Sequence, residues 1–167
     1  MKQKSIFNGF LIKYTQLKQV TKKFDFVQNV ILFLFLILGC SKDPIQRNPY
    51  LADIRFQRDL NLSLPLYNQL NFVGGSIFIP DIGINGVILF NLSGSTFLAW
   101  EATCPNHLPE SCSKLSISGV LAECSCENFQ YSLATGQLLN PSEKLNPPRD
   151  LLFYQIQNFN GILRISN

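Results

Sequence analysis

The sequence predicts an all-β fold, a small antiparallel barrel or sandwich, over residues 51–167. Short apolar runs recur there, separated about every ten residues by turn pairs such as Gly74-Gly75, Asn85-Gly86 and Asn160-Gly161. No stretch of this region as long as an ordinary helix keeps a helical period. Many short strands with polar turns between them are typical of antiparallel sandwiches and small barrels.

The expected strands can be assigned in chain order. Asp53–Leu64 alternates apolar and polar residues, which is the period of a half-buried strand. The later apolar runs are each bounded by turn residues, and they predict strands at Ser76–Ile79, Val87–Phe90, Thr96–Trp100, Lys114–Ile117, Val120–Glu123, Gln130–Ser132, Leu151–Gln157 and Ile162–Ile165. The Asn160-Gly161 pair predicts a two-residue hairpin turn between the last two strands.

The segment 1–39 differs from the rest of the chain in charge and hydropathy. It holds six lysines against one acid, whereas the chain from Cys40 onward has eight Lys/Arg and ten Asp/Glu. A nucleic-acid partner is therefore not expected, because such binding needs clustered positive charge. Val30–Leu38 is an unbroken apolar run of nine residues. It is too short for a membrane-spanning helix but fits the centre of a secretory signal.

That apolar run leads into Ile37-Leu38-Gly39-Cys40, which resembles the bacterial lipobox. The resemblance implies that residues 1–39 are a lipoprotein signal peptide, that Cys40 carries the lipid, and that residues 40–50 are a polar tether. A hydrophobic core segment with a chance cysteine is the alternative. We expect the protein in the bacterial cell envelope, held to a membrane by lipid. The outer membrane is favoured over the inner one, because Ser41 and Lys42-Asp43 resemble outer-membrane sorting signals.

Four further cysteines lie close together in the chain: Cys104, Cys112, Cys124 and Cys126. An even number in an exported domain predicts two disulfides, with three possible pairings. The first loop opens with Cys104-Pro-Asn106-His107 and the second with Cys124-Ser-Cys126-Glu127, with a predicted Ser118-Gly119 turn between them.

In these loops the chain resembles the Rieske iron–sulfur family, whose signature is Cys-x-His and, further along, Cys-x-x-His at the tip of a small antiparallel barrel. Cys104 and Cys124 match the cysteine ligands, and the segment 107–123 separates Asn106 from Cys124, a gap of the length that the family has. The resemblance runs from about Ile77 to Ile165. Further matches are the extra cysteine pair of the loop-to-loop disulfide, an aromatic residue, a Thr-Gly turn and a proline loop: Cys112 with Cys126, Tyr131, Thr135-Gly136 and Asn146-Pro-Pro148.

The departures from this signature concern the histidine ligands. Asn106 stands at the first histidine position and Glu127 at the second, and His107 is the only histidine of the chain. A Rieske centre binds one iron with two thiolates and the other with two imidazoles. The standard ligand set is therefore excluded by counting. A [2Fe–2S] cluster on nonstandard ligands, with His107 as a substitute, and a four-cysteine zinc site remain as alternatives.

We expect instead no cofactor, and a binding or structural derivative of an electron-transfer domain stabilised by disulfides. The family frame implies the bridges Cys104–Cys124 and Cys112–Cys126. An unidentified protein or small molecule is expected to contact the loop tip. Enzyme activity is not expected, because His107 is the only imidazole base and the nearby Ser111 and Ser113 have no catalytic motif around them. The alternative function is electron transfer through a [2Fe–2S] cluster on nonstandard ligands.

Overall fold

The computed structural model describes residues 47–143, 145 and 147–167. The predicted signal peptide, Cys40 and the first part of the tether lie outside the described residues, and so does Asn146 of the proline loop. No helix in the described part of the chain is long and apolar enough to cross a membrane.

Nine strands and one short 3₁₀-helix, Pro65–Asn71, make up the regular structure of the described residues. The strands, in chain order, are β1 (Gln57–Asn61), β2 (Ser76–Ile79), β3 (Val87–Asn91), β4 (Phe97–Glu101), β5 (Ser116–Ser118), β6 (Leu121–Cys124), β7 (Phe129–Ser132), β8 (Phe153–Phe159) and β9 (Ile162–Ser166). They form a six-stranded sheet in the order β1-β9-β8-β4-β3-β2 and a three-stranded sheet in the order β5-β6-β7. All pairings are antiparallel, which confirms the predicted fold class.

The first strand is shorter than the alternation of Asp53–Leu64 predicts. It ends at Asn61, whose side chain accepts a hydrogen bond from the Ser63 amide and whose carbonyl accepts one from the Leu64 amide. Pro65 then begins the 3₁₀-helix, where its missing N–H leaves no hydrogen bond unmade. This helix has seven residues, which is too short for the periodicity of the sequence to reveal it.

The core lies on both faces of β3, all of whose residues are buried. Ile88 and Phe90 point to a group of apolar side chains that includes residues of the small sheet, while Val87 and Leu89 point to a second group within the large sheet. This division follows from the period of two in a strand. The first group joins the two sheets, and the three-stranded sheet thereby holds its loops in a fixed place.

The two sheets are also tied together at the Thr-Gly turn. The indole Nε1 of Trp100 donates a hydrogen bond to the Leu133 carbonyl at 2.9 Å. Gly136 packs against the same ring with a φ of 76°, and a Cβ there would lie 2.6 Å from the indole. Only glycine satisfies both conditions without strain. The turn that the family resemblance singles out is therefore a packing requirement of this core.

Candidate functional site

The first cysteine loop lies between β4 of the large sheet and β5 of the small sheet, and the second joins β6 to β7 of the small sheet. Cys104 follows an isolated bridge between Thr103 and Lys114, and its amide donates to the Ser113 carbonyl at 2.8 Å. This pairing closes the base of the first loop. Cys124 is the last residue of β6 and begins the second loop. Both cysteines are buried, with 0% and 1% of their surface exposed.

Cys112 and Cys126 form a disulfide with a Cα separation of 5.3 Å. It is the loop-to-loop bridge that the Rieske resemblance implies. Cys104 and Cys124, in contrast, are free thiols in the structure. The predicted Cys104–Cys124 bridge is therefore not formed. Each sulfur has another polar partner, because Cys104 Sγ lies 3.4 Å from the Tyr131 hydroxyl and Cys124 Sγ lies 3.3 Å from the His107 imidazole.

The side-chain amide of Asn106, at the first histidine position, makes its hydrogen bonds with Tyr131 and Arg149 and not with the two sulfurs. It is 6% exposed, and its Nδ2 donates to the Tyr131 hydroxyl and to the Arg149 carbonyl, both at 2.8 Å. Its Oδ1 accepts the Arg149 amide, also at 2.8 Å. The side-chain amide of Asn106 thus connects the first cysteine loop to the segment at Arg149, which directly follows Pro147 and Pro148.

His107, one residue further, occupies the space beside the thiols. Its Nε2 lies 3.3 Å from Cys124 Sγ, and its Nδ1 lies 2.8 Å from the Leu108 carbonyl. A carbonyl can only accept, so Nδ1 carries the hydrogen and Nε2 keeps its lone pair toward the sulfur in the neutral ring. Burial alone would lower the pKa of His107, but the hydrogen bonds with Cys124 and the Leu108 carbonyl outweigh it, and the pKa is raised.

The two thiols differ in the direction in which their pKa is shifted. The hydrogen bond that Cys104 shares with Cys124 raises the pKa of Cys104, and burial adds to this effect. The same hydrogen bond lowers the pKa of Cys124 against the opposing effect of burial, with help from His107 and the backbone N–H groups of Cys126 and Glu127. Cys124 is therefore the more acidic of the two thiols.

Glu127, at the second histidine position, is exposed. It is not one of the three residues whose ligand atoms meet within 4.8 Å of one another, which are Cys104, His107 and Cys124. The structure thus brings together both cysteines and the substitute His107, and leaves Asn106 and Glu127 out of the donor set.

Sequence analysis missed a buried carboxylate at the end of β4. Glu101 has no exposed surface, and its two oxygens accept hydrogen bonds from two backbone amides and two hydroxyls: Ile84, Asn85, Thr103 and Tyr154. Burial and the neighbouring Glu101 raise the pKa of Tyr154. The one available signal was an acid at the end of the apolar run Phe97–Glu101.

Solved structures similar to this chain include one from the complex of reduced oxygenase and oxidised ferredoxin in carbazole 1,9a-dioxygenase, at 20% identity over 56% of this chain and 82% of that chain, with a TM-score of 0.38. Another is described as the small subunit of an NADH-dependent nitrite reductase from Mycobacterium tuberculosis, at 17% identity over 69% of this chain and 97% of that chain, with a TM-score of 0.41. A third comes from an oxygenase-variant and ferredoxin complex of carbazole 1,9a-dioxygenase, at 15% identity over 65% of this chain and 28% of that chain, with a TM-score of 0.45. No family model matches the chain, and no curated protein matches it.

These identities and TM-scores are low, so the resemblance to the Rieske family rests on the residues of the site itself. The loop between β4 and β5 carries Cys104, and the loop between β6 and β7 begins at Cys124. The Cys112–Cys126 disulfide joins the two loops, and the Tyr131 hydroxyl lies 3.4 Å from Cys104 Sγ. The arrangement resembles the Rieske signature, with Asn106 and Glu127 at the two imidazole positions.

Proposed function

We propose that the protein is an exported, lipid-anchored domain of the Rieske-like type that lacks the two-iron cluster and uses its cysteine loops as a contact surface. The observation that carries this proposal is the position of Asn106. Its amide makes three hydrogen bonds of 2.8 Å with Tyr131 and Arg149. A side chain that holds the loop together in this way is not available as a ligand at the first imidazole position.

The remaining donors do not fit a Rieske cluster. That cluster needs two imidazoles on the iron that does not bind the thiolates. The chain has one histidine, and its Nε2 lies 3.3 Å from Cys124 Sγ. A nitrogen and a sulfur at this distance can bind the same metal ion, whereas in a Rieske cluster they would bind two different irons. The second imidazole position, Glu127, is exposed and outside the donor group.

Electron transfer through a [2Fe–2S] cluster on nonstandard ligands is the second candidate. The observation in its favour is that Cys104 and Cys124 are free and buried beside His107. A fourth ligand would have to come from Glu127 through a rearrangement of its loop. Because the cluster would also have to displace the imidazole from the Cys124 sulfur, this candidate ranks second.

Iron and sulfide analysis of the anaerobically purified full-length chain tests the proposal. We expect no stoichiometric iron with sulfide, no Rieske-type absorption and no electron paramagnetic resonance signal after reduction. Two irons and two sulfides per chain would overturn the proposal and establish the second candidate. Three variants serve as companions: Asn106→His, Glu127→His and the double change. If the chain binds no cluster because both imidazole ligands are missing, any cluster uptake should occur in the double variant and in neither single variant.

The lipid anchor would bring the cysteine loops close to a membrane. Asn48, near the end of the tether, donates a hydrogen bond from Nδ2 to the Pro105 carbonyl in the first cysteine loop at 2.8 Å. Asn48 follows Cys40 closely in the chain, and the segment between them spans at most about 29 Å when extended. A lipid on Cys40 would therefore keep Asn48, and with it the start of the first cysteine loop, within about this distance of the bilayer. The residues after Cys40 favour the outer membrane.

Replacement of Cys40 tests the anchor. Cys40→Ala should leave an unprocessed precursor that takes up no labelled fatty acid, while Cys112→Ala should be labelled and processed like the parent chain. Unchanged labelling of the Cys40 variant would contradict lipidation at this residue.

The surface around His107 supports a protein partner at this tip. Leu108 is 64% exposed directly beside His107, and the acids Glu110 and Glu127 nearby are also exposed. An apolar residue with a polar surround is typical of protein contact surfaces. A photoreactive side chain at Leu108 should crosslink a membrane-associated protein in intact cells, whereas the same group at Leu66, which is 77% exposed, should not. Equal crosslinking from both positions would contradict a contact at the tip.

A further inference from the structure

Three donor atoms that bind transition metals well meet at the cysteine loops. The ligand atoms of Cys104, His107 and Cys124 all lie within 4.8 Å of one another. Thiolate sulfur and imidazole nitrogen are the donors that zinc and its neighbours prefer in proteins. The two sulfurs are buried, whereas the His107 side chain is half-buried and so is partly in contact with solvent.

Their spacing suits a single ion. Zn–S bonds of about 2.3 Å and Zn–N bonds of about 2.0–2.1 Å in a tetrahedron place two ligand atoms about 3.6–3.8 Å apart. The distance from His107 Nε2 to Cys124 Sγ is 3.3 Å, a few tenths of an ångström below this range, and all three ligand atoms lie within 4.8 Å of one another. In a Rieske centre the imidazoles and the thiolates bind different irons.

The imidazole is oriented as a metal ligand requires. A histidine that binds metal usually donates its other ring N–H to a carbonyl or carboxylate, which fixes the tautomer. His107 Nδ1 lies 2.8 Å from the Leu108 carbonyl, and the Ser113 hydroxyl lies 3.5 Å from the same nitrogen. Nε2 is thereby left as the ligand atom, and it is the atom that faces Cys124.

The disulfide makes a second cross-link unnecessary. Cys112–Cys126 already joins the two loops, and Ser125 Oγ adds a hydrogen bond to the Cys112 carbonyl at 3.1 Å. Cys104 and Cys124 remain free beside this bridge. The loops thus hold two thiols and one imidazole together without using them for the connection between the loops.

We propose that Cys104, His107 and Cys124 bind one divalent transition-metal ion of the zinc type, with water at the fourth position. Three protein ligands with an open fourth position are the arrangement of zinc sites that exchange a ligand, whereas structural zinc sites have four protein ligands. The proposal goes beyond the absence of a two-iron cluster and does not depend on the lipid anchor or the partner.

Metal binding to the full-length chain, purified anaerobically in detergent without added reductant, tests the proposal. Metal analysis of the isolated protein should find about one zinc-type ion per chain and no sulfide. After removal of this ion with a chelator, titration with Co²⁺ should give the visible bands of a tetrahedral ion and a sulfur-to-cobalt charge-transfer band. Both should saturate at one equivalent and disappear when Zn²⁺ is added.

Single changes in two of the three ligands, His107 and Cys124, provide the specific test. His107→Gln and Cys124→Ser should each weaken Co²⁺ binding by at least about 10–100-fold, which is the loss that follows when only an outer-shell partner of a metal ligand is removed. Glu127→Gln, which removes a nearby acid outside the donor group, should bind as tightly as the parent chain. A thermal melt of each apo variant checks folding, and His107→Gln is the decisive variant because His107 is partly exposed. Equal Co²⁺ binding by the parent chain and His107→Gln would overturn the proposal.

The remaining outcomes separate this proposal from the proposed function. Two irons with two sulfides per chain would overturn both. No Co²⁺ binding, with a Cys104–Cys124 disulfide found by non-reducing peptide mapping after cleavage at Lys114 and Glu123, would overturn the metal site and leave the proposed function standing.

Discussion

The buried carboxylate of Glu101 and the cysteine loops are two polar sites that differ in how far their hydrogen-bonding capacity is used. Glu101 accepts four hydrogen bonds from donors on three separate segments: Ile84 and Asn85, Thr103, and Tyr154. At the loops, two sulfurs and an imidazole nitrogen face one another within 4.8 Å. The protein itself supplies hydrogen-bond donors to both oxygens of Glu101. The cysteine loops instead bring together three atoms with lone pairs, to which a cation could bind.

The difference indicates which site is structural. A buried carboxylate is tolerated when its lone pairs are filled, and it then joins the segments that supply the donors. The backbone at Gly83 packs directly against this carboxylate, because a Cβ at residue 83 would collide with Glu101 Oε2. Glu101 therefore fixes the turn before β3 to β4 and β8, and we assign it no chemistry. Ligand chemistry is expected only at the loops.

Removal of the carboxylate should produce the largest effect. Glu101→Ala leaves two amides and two hydroxyls without an acceptor inside the protein, and we expect a loss of about 3–5 kcal/mol in the free energy of unfolding. Urea denaturation of the parent protein and of the Glu101→Ala variant measures this difference in the free energy of unfolding. Glu110→Ala, in which an exposed acid is removed, should change the free energy by less than about 0.5 kcal/mol. Similar losses in the two variants would contradict the structural role of Glu101.

Removal of the Asn106 amide should have an intermediate effect. Asn106→Ala breaks the hydrogen bonds to Tyr131 and Arg149, and we expect a loss of about 2 kcal/mol. Hydrogen exchange gives a more specific measurement, because the Arg149 amide would lose its acceptor and exchange faster. Asn68→Ala, which removes an exposed hydrogen bond with Asn71, is the matched control. Unchanged exchange of the Arg149 amide would show that Asn106 does not hold this segment.

Most of the strands could be predicted from the sequence because their signals are local. β2, β3, β4 and the hairpin of β8 and β9 begin and end within a few residues of the positions that alternation and turn pairs indicate. The Asn160-Gly161 turn has positive φ at both residues, as its composition predicts. β1 was predicted too long, because alternation does not reveal the side-chain hydrogen bond with which Asn61 ends the strand.

The site could be predicted only in part because its decisive contacts are distant in sequence. Spacing indicates which loops carry Cys104 and Cys124, but a loop backbone does not alternate, so it does not reveal whether residue 106 or residue 107 points to the sulfurs. That choice depends on the Arg149 backbone, 43 residues away. Glu101 was missed for the same reason, since Tyr154 lies 53 residues from it.

An exposed ion pair provides the smallest effect and the control for both buried sites. Asp59 and Arg164 are directly opposed on β1 and β9 and make two hydrogen bonds, at 2.8 and 2.7 Å. Both side chains are more than 40% exposed, so water and salt screen the attraction. Asp59→Asn should shift the melting temperature by no more than about a degree at neutral pH.

The pH dependence of this small shift distinguishes it from the effect of Glu101→Ala. The hydrogen bond and charge of Arg164 hold the pKa of Asp59 below its usual range. Its stabilising contribution is therefore present above the pKa of the unfolded chain, near 4, and is lost as the pH falls through the lower pKa of the folded chain. Melting curves of the parent and Asp59→Asn chains should differ slightly at pH 7 and low salt, and coincide at high salt or in strong acid. A difference that persists at high salt would indicate that Asp59 stabilises the fold through packing and not through its charge. Asp59 could then no longer serve as the exposed reference for the buried carboxylate of Glu101.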